Sequence, residues 1–278
     1  MEIIKVNKPM RIQDCFIEPV FDIVIGDPYL AVTHVGEGTR FINKLPHDDK
    51  TYIPNEYPFG IVTSPIVAAG TLPPAIDAQK LRVKLAEFIV QYFAGTEQIV
   101  KAMAAFALNS WVYDFAPSCR SLAILGDHIT GKTTALQTLR WICYRSGFAN
   151  AMMSIDTLVK CINLYGGTWL FDEEIGPLIS RIIKVRGTST ESNVIQMADN
   201  GPQIYNVYGP SAITLRSSRL LGDPSFSKMF EIVKLEQAPA NAISTRRIVE
   251  REQIEHDAMA LWPELLAYRL NVISKKGK

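Results

Sequence analysis

The stretch from Gly126 to Thr133 constrains the fold of this 278-residue sequence more than any other. Its letters, GDHITGKT, fit the pattern G-x-x-x-x-G-K-[ST], in which glycines let successive backbone N–H groups face an anion and a following helix adds its dipole. An apolar run from Ser121 to Leu125 precedes it, and apolar residues recur at helical spacing from Ala135 to Cys143. The sequence therefore predicts a strand, a phosphate-binding loop and a helix, in that order.

The motif assigns chemical roles to particular side chains. Lys132 is expected to reach the β- and γ-phosphates of ATP, and the hydroxyl of Thr133 is expected to hold Mg²⁺. An acidic side chain beside phosphate is unfavourable, so Asp127 is expected to point to solvent, and His128 is interpreted as an exposed loop residue rather than a catalyst. The predicted ATP-binding residues are Gly126, Asp127, His128, Ile129, Thr130, Gly131, Lys132, Thr133 and Thr134.

A second acidic motif, TWLFDEE, follows about forty residues later. A carboxylate at the end of an apolar strand can hold Mg²⁺ through water, and the next carboxylate can deprotonate the attacking water. Asp172 is therefore the predicted metal ligand beside Thr133, and Glu173 the predicted catalytic base. Glu174 is the rival for the base role, and a plain strand running into an acidic turn is the alternative without function.

A hairpin is predicted over residues 193–208, NVIQMADNGPQIYNVY, because Asn200-Gly201 between β-prone arms is a strong turn signal. An ordinary edge hairpin is the alternative interpretation. A polar-ended strand, Ser211 to Leu215, comes next, and Ser217 after it is a candidate to touch the γ-phosphate or the attacking water. Arg219 and Lys228 are candidates for a cation supplied to a neighbouring subunit, against the default of solvated surface charge.

The order of patterns along the chain predicts an α/β protein with a parallel sheet flanked by helices. Residues 1–75 are rich in β-branched and aromatic residues broken by turn formers, and predict a small β-rich appendage. Residues 76–240 carry two helices, the second over Glu97 to Val112, and then the motif-bearing core. Residues 241–278 predict a short helical lid broken at Pro263, from which Arg246 and Arg247 either contact nucleotide or remain solvated.

Composition excludes some classes of protein. A formal net charge of +1 gives no general attraction to nucleic acid, and residues 1–75 hold six basic and nine acidic residues, which argues against a DNA clamp. The four cysteines lack the spacing of a zinc site and are expected to be reduced, half-buried fillers. Without an apolar stretch of the ~20 residues that span a bilayer, and without a signal peptide at the start, a cytoplasmic location is expected.

Taken together, the motifs resemble the compact AAA+ ATPases of plasmids and viruses, including superfamily 3 helicases and primase-associated, helicase-like proteins. In one such group a phosphate loop is followed by TLLIDE, a helix ending in RG, then FGP with a strand, an aspartate and a Ser-Arg pair. Here those places read GDHITGKT, TWLFDEE, VRG, VYGPSAIT and LGDPSFSK, within residues 76–236. The resemblance implies an ASCE-type P-loop ATPase that hydrolyses ATP with Mg²⁺, assembles into a homo-oligomeric, hexameric ring and moves or unwinds DNA during replication.

Two positions depart from that pattern. Lys228 stands where the group has arginine, and lysine lacks the planar fork of arginine. The predicted hairpin tip carries Asp199 instead of the basic residue that grips DNA in superfamily 3. These departures leave open a nucleotide-switched assembly protein that does not translocate on DNA, and a viral DNA-packaging ATPase remains a third interpretation.

Overall fold

Two small sheets occupy the N-terminal part of the chain, as the alternating sequence predicts. The computed structural model describes residues 2–22, 26–34, 37–55, 72–149, 153–172, 177–198, 201–217, 222–236 and 251–276. The N-terminal strands are β1 (Glu2–Val6), β2 (Met10–Ile12), β3 (Cys15–Asp22), β4 (Asp27–His34), β5 (Gly38–Ile42), β6 (Leu45–His47) and β7 (Lys50–Pro54). Strands β2, β3, β4 and β5 form an antiparallel sheet, while β7 pairs with β1 in parallel and with β6 in antiparallel.

Two helices then lead to the motif-bearing core. Helix α1 (Ala78–Tyr92) begins at Asp77, whose side chain accepts a hydrogen bond from the N–H of Gln79 at 2.6 Å, and α2 (Glu97–Ser110) is capped by Thr96. Such side-chain caps satisfy N–H groups that have no acceptor inside the helix. The observed α2 ends two residues before the predicted Val112, and a 3-10 turn follows at Tyr113–Phe115.

The core contains a five-stranded sheet in which every neighbouring pair runs parallel. Its elements in chain order are β8 (Ser121–Leu125), α3 (Lys132–Ile142), β9 (Gly147–Ala149), α4 (Ile155–Tyr165), β10 (Trp169–Phe171), α5 (Pro177–Arg186), the hairpin strands β11 (Asn193–Ala198) and β12 (Gly201–Asn206), β13 (Ser211–Leu215), α6 (Pro224–Ser227) and β14 (Phe230–Lys234). The strand order across the sheet is β14, β8, β13, β10, β9. The mixed α/β architecture, with a parallel sheet flanked by helices and a β-rich N-terminus, is confirmed.

The order of the strands determines which loops meet. Strand β13 lies between β8, which precedes the phosphate-loop motif, and β10, which precedes Asp172. Strand β9 was not predicted, because its three residues, Gly-Phe-Ala, do not form the bulky apolar run that marks the equally short β10.

The predicted hairpin is present, but Gly201, which was predicted to lie in its turn, belongs to a strand. Strands β11 and β12 pair in antiparallel, and the last pair of the ladder joins Ala198 to Gly201. Gly201 therefore belongs to β12, and the residues between the arms are 199 and 200, which lie outside the described residues.

Two helices end the described chain, α7 (Arg251–Met259) and α8 (Trp262–Lys276). Pro263 was expected to break the C-terminal helical region; the break lies at residues 260 and 261, and Pro263 is the second residue of α8. Proline is tolerated in the first turn of a helix, because the N–H that it lacks would have no helical acceptor there. Among the helices that the structure describes, none combines the length and apolar character needed to cross a membrane.

The buried core joins the four-stranded N-terminal sheet to the α/β part. Val20 of β3 and Ala31 of β4 belong to the same cluster of buried apolar residues as α1, α2, α3 and α8.

All four cysteines are free; Cys15 and Cys143 are buried, and burial raises the pKa of the Cys119 thiol to about 11. Cys119 and Cys161 are half-buried, as expected, whereas Cys15 and Cys143 are more fully buried than expected.

Candidate phosphate-binding site

The motif residues lie along one edge of the parallel sheet. The carboxyl ends of β8, β13 and β10 reach this edge side by side, which is where ligands bind in open α/β sheets. Strand β8 continues into the loop, and β10 continues directly into Asp172. The N–H of Gly126 donates to the carbonyl of Leu215 at 3.1 Å, so the loop begins against the end of β13.

The shape of the loop requires glycine at both glycine positions of the motif. Gly131 is the N-cap of α3 and has φ = 88°, a left-handed conformation that costs little without a β-carbon. A β-carbon on Gly126 would lie 2.5 Å from the Oγ1 of Thr130 and 3.3 Å from the carbonyl oxygen of Leu235. The loop therefore has a tight backbone turn at its start and a left-handed residue at its end.

Lys132 is held against the loop that precedes it. Its side chain is buried, with 4 % of the residue exposed, and its Nζ donates to the carbonyls of Gly126 at 2.8 Å and Asp127 at 2.6 Å. The ammonium group thus lies where the loop backbone and the first turn of α3 converge. A cation at this point supplies the charge that a phosphate group would need.

Asp172 joins the loop helix to the neighbouring strand through its two carboxylate oxygens. Its Oδ2 accepts a hydrogen bond from the hydroxyl of Thr133 at 2.9 Å, and its Oδ1 accepts one from the hydroxyl of Thr214 at 2.7 Å. The structure therefore brings together the two residues that the sequence analysis chose as metal ligands, Thr133 and Asp172. Hydroxyl and carboxylate oxygens are the donors that Mg²⁺ prefers, so the donor set fits this metal.

Thr214 is the member of the site that sequence reasoning missed. It is fully buried in β13, one residue before the strand ends. In the sequence it is a threonine within an apolar run, SAITL, and such a residue is ordinarily interpreted as a strand former in the core. Its position beside the acidic strand was predicted, but the bond between its hydroxyl and Asp172 is a consequence of strand register.

The middle of the loop faces solvent, as the sequence analysis expected for Asp127 and His128. Ile129 adopts φ = 62° and is 79 % exposed. The hydroxyl of Thr130 donates to the carbonyl of Asp127 at 2.9 Å and so closes the loop on itself. Thr134 is also exposed, and its carbonyl accepts a hydrogen bond from Thr138 one turn further along α3.

Ser217 lies at the carboxyl ends of the strands of the sheet, and Lys228 lies at their amino ends. Ser217 is exposed two residues beyond the end of β13, on the edge that carries the loop. Lys228 is exposed just before β14, whose first residue, Phe230, pairs with the first residue of β8. Since β8 is five residues long, the start of β14 lies roughly 13 Å along the strands from the loop that follows β8.

Glu173, Glu174, Arg219, Arg246 and Arg247 lie outside the described residues. Their predicted roles remain predictions from the sequence.

Comparison with known proteins adds little. Neither a protein-family model nor a curated protein matches the sequence. Among solved structures, the chain is similar to the C-terminal region of NrS-1 in its A form apo structure, with a TM-score of 0.44 and 10 % sequence identity. That similarity covers 94 % of this chain and 72 % of the other. A likeness at this level carries no functional argument.

Proposed function

We propose that this protein binds ATP with Mg²⁺ at the loop Gly126 to Thr133 and hydrolyses it. The observation that carries the proposal is the pair of hydrogen bonds from Thr133 and Thr214 to Asp172, on the helix and strand that adjoin the loop where the buried ammonium group of Lys132 is held. The reaction needs a bound phosphate group, a divalent metal and a carboxylate that activates water. Among the described residues, Lys132 can bind the phosphate group, and Thr133 and Asp172 can hold the metal.

The proposed roles follow from chemistry at each atom. Lys132 would exchange its bonds to the loop carbonyls for bonds to phosphate oxygens. Thr133 and Asp172 would hold Mg²⁺, which neutralises charge developing on the transferred phosphate. Mg²⁺ retains several waters and phosphate oxygens as ligands, so one carboxylate and one hydroxyl from the protein are enough to hold it. Glu173, next to Asp172 in the sequence, is the proposed general base.

The wider proposal is an AAA+-like ATPase of the ASCE class that works as a ring, hexameric in this hypothesis, to move or unwind DNA in the replication of a mobile element. It is supported by the strand inserted between β8 and β10, which resembles the additional strand that gives the ASCE class its name. The position of Lys228, away from the loop of its own subunit, is compatible with a cation supplied to a neighbour. Ser217 stays the proposed sensor of the γ-phosphate.

A nucleotide-switched assembly protein is the second candidate, and the hairpin favours it. Ile195, Met197 and Ile204 share one face of the β11–β12 ribbon and are 67 %, 80 % and 67 % exposed. The described residues of both strands carry no charge. An aliphatic surface of this kind suits contact with protein better than contact with a polyanion, whose binding depends on neutralising phosphates.

The test of ATP hydrolysis uses three site variants and two matched controls. We expect Lys132→Ala, Asp172→Asn and Glu173→Gln each to lower the Mg²⁺-dependent ATPase rate by roughly 100-fold, the usual effect of removing one group that stabilises transition-state charge. Lys101→Ala and Asp156→Asn remove exposed charges on α2 and α4 and should stay within about twofold of the wild type. Failure of the wild-type protein to bind ATP in calorimetry with Mg²⁺ present would refute the proposal.

Adding nucleic acid to the same assay separates the two candidates. Stimulation of the wild-type rate by single-stranded or duplex DNA, lost in Glu173→Gln, would support the motor. Equal rates with and without DNA, together with a nucleotide-dependent change of oligomeric state in light scattering, would support the assembly protein.

A further inference from the structure

Arg186, the last residue of α5, is a completely buried cation whose hydrogen bonds to described residues all end on neutral oxygen atoms. Its Nε donates to the Oγ of Ser211 at 3.0 Å, and Nη1 donates to the carbonyl of Val207 at 2.8 Å. Its Nη2 donates to the carbonyls of Gly167 and Pro210, both at 3.0 Å. Burial lowers the pKa of Arg186 to about 10, which still leaves it protonated at neutral pH.

Burying a charge is costly, and here four neutral oxygen atoms among the described residues accept hydrogen bonds from the guanidinium group in place of a carboxylate. Gly167 lies two residues before β10, and Pro210 directly precedes β13. One guanidinium group therefore connects the starting ends of the two strands. The chain is tight at this point, because a β-carbon on Gly209 would lie 2.6 Å from the carbonyl oxygen of Gly167 and 3.0 Å from Nη2 of Arg186.

The ladder that joins the two connected strands is short, and the N–H of Trp169 donates to the carbonyl of Pro210 at 3.1 Å at its start. The ladder between β10 and β13 has three residue pairs: Trp169 with Ser211, Leu170 with Ala212, and Phe171 with Ile213. Both strands are buried on both faces, so no alternation of polar and apolar residues distinguishes one register from another. A register shift of one residue would move Asp172 by roughly 3.3 Å along the sheet.

That distance matters because Asp172 and Thr214 each follow the last pair of this ladder. Their 2.7 Å hydrogen bond exists because Phe171 lies beside Ile213. A displacement of one residue would break the bond to Thr214 and would also move Asp172 away from Thr133.

We propose that Arg186 is a positioning residue for the metal site: it holds the starts of β10 and β13 together and thereby sets the register that places Asp172 between Thr133 and Thr214. This inference rests on the proposed function, since it assigns Arg186 a task in the same site. Lysine cannot perform this task, because its single ammonium point lacks the planar fork that serves four acceptors in fixed directions.

The test compares Arg186→Lys with Arg269→Lys. Both arginines are completely buried, but Arg269 binds the carboxylates of Glu18 and Asp114, away from β10 and β13. The measured quantity is the affinity for Mn²⁺ in the presence of ADP, obtained by electron paramagnetic resonance, with the affinity for ATP in excess chelator as a second readout. We expect Arg186→Lys to weaken Mn²⁺ binding by about 10- to 100-fold, as is usual when a group supporting a metal ligand is lost.

A merely structural role would give a different pattern. Positioning predicts that the metal-free affinity of Arg186→Lys for ATP stays within about twofold of the wild type, since the loop follows β8, whose alignment with β13 is set by a separate ladder of four residue pairs. Arg269→Lys should lower the melting temperature without changing Mn²⁺ affinity. Ser211→Ala, which removes the acceptor of Nε, is a milder second variant and should weaken Mn²⁺ binding in the same direction but less.

Three outcomes would count against these statements. Wild-type Mn²⁺ affinity in folded Arg186→Lys would overturn the positioning role while leaving the proposed function intact. If Arg186→Lys does not fold, unchanged Mn²⁺ affinity in Ser211→Ala overturns it instead. Absence of Mn²⁺ and ADP binding in the wild-type protein would overturn the proposed function itself, and this inference with it.

Discussion

The carboxylate of Asp172 connects three elements of the core, β10, α3 and β13. It follows β10, accepts one hydrogen bond from the helix after the loop and accepts another from the inserted strand β13. Hydrogen bonds to a charged group are worth more than neutral ones, so both hydroxyls contribute to where this carboxylate lies. These two hydrogen bonds therefore determine whether the proposed metal ligand is already in position or has to reorganise when metal binds.

Removing the hydroxyl of Thr214 tests this arrangement. Thr214→Val keeps the shape of the side chain but deletes the bond to Asp172, and we expect the Mg²⁺ concentration for half-maximal ATPase activity to rise by about 10- to 100-fold, equivalent to the roughly 1.5–3 kcal/mol of such a bond. Thr138→Val is the matched control, because Thr138 is equally buried and donates to a backbone carbonyl within α3. An unchanged Mg²⁺ requirement in Thr214→Val would remove Thr214 from the site.

At the scale of elements, the loop combines a left-handed residue with the start of a helix. Gly131 takes φ = 88° and is followed at once by α3, so the first turn of that helix is aimed at the concave side of the loop. A β-carbon on Gly131 would lie 3.6 Å from the ring of Phe93, which is ordinary contact. The cost of a side chain here is consequently one of backbone conformation rather than of collision.

Gly131→Ala is therefore expected to lower the free energy of unfolding by about 1–2 kcal/mol, the penalty of a left-handed residue that carries a β-carbon. Gly38→Ala is the control, because Gly38 lies in β5 with φ = 96°, and a β-carbon added there would meet no atom within 4 Å. Urea unfolding should show similar losses for the two variants, and ATP calorimetry should show weaker binding for Gly131→Ala alone. If Gly131→Ala binds ATP as tightly as the wild-type protein, the left-handed turn does not contribute to ATP binding.

At the scale of the whole molecule, a buried ionic network connects parts of the chain that are far apart in sequence. Arg269 of α8 donates to Glu18 of β3 at 2.9 Å and to both carboxylate oxygens of Asp114, at 2.8 and 2.7 Å. Tyr144 donates to the other oxygen of Glu18 at 2.5 Å. Although burial by itself would lower it, the pKa of Arg269 lies above its ordinary value, because the nearby acidic groups outweigh burial.

We expect Glu18→Gln to lower the free energy of unfolding by about 3 kcal/mol, since it leaves a buried cation short of one anionic partner. Glu264→Gln removes a partly exposed partner of Lys84 on the same helix as Arg269 and should cost less than about 1 kcal/mol. Because the network joins the N-terminal sheet to the core, circular dichroism and tryptophan fluorescence should report one shared urea transition. Two separate transitions would show that the N-terminal sheet unfolds independently.

The sequence by itself determined the elements whose signals are local. The motif from Gly126 to Thr133 requires certain residue types at fixed spacing, and the apolar runs at Ser121 to Leu125 and Trp169 to Phe171 were identified as strands because their neighbours are turn formers or helical patterns. The pairing of Thr133 with Asp172 could be predicted as well, because the carboxyl ends of parallel strands meet at one edge.

Tertiary structure decided what depends on register and burial. Thr214 looks like a strand former and Arg186 appears in the sequence only as the arginine of the VRG match, yet both are completely buried and make specific hydrogen bonds. Neither role is visible in the sequence, because the acceptors come from segments 19 to 42 residues away, and the alignment of β10 against β13 selects them. Local patterns specify which residue types can occur, whereas the contacts of a buried polar group depend on the register of neighbouring strands.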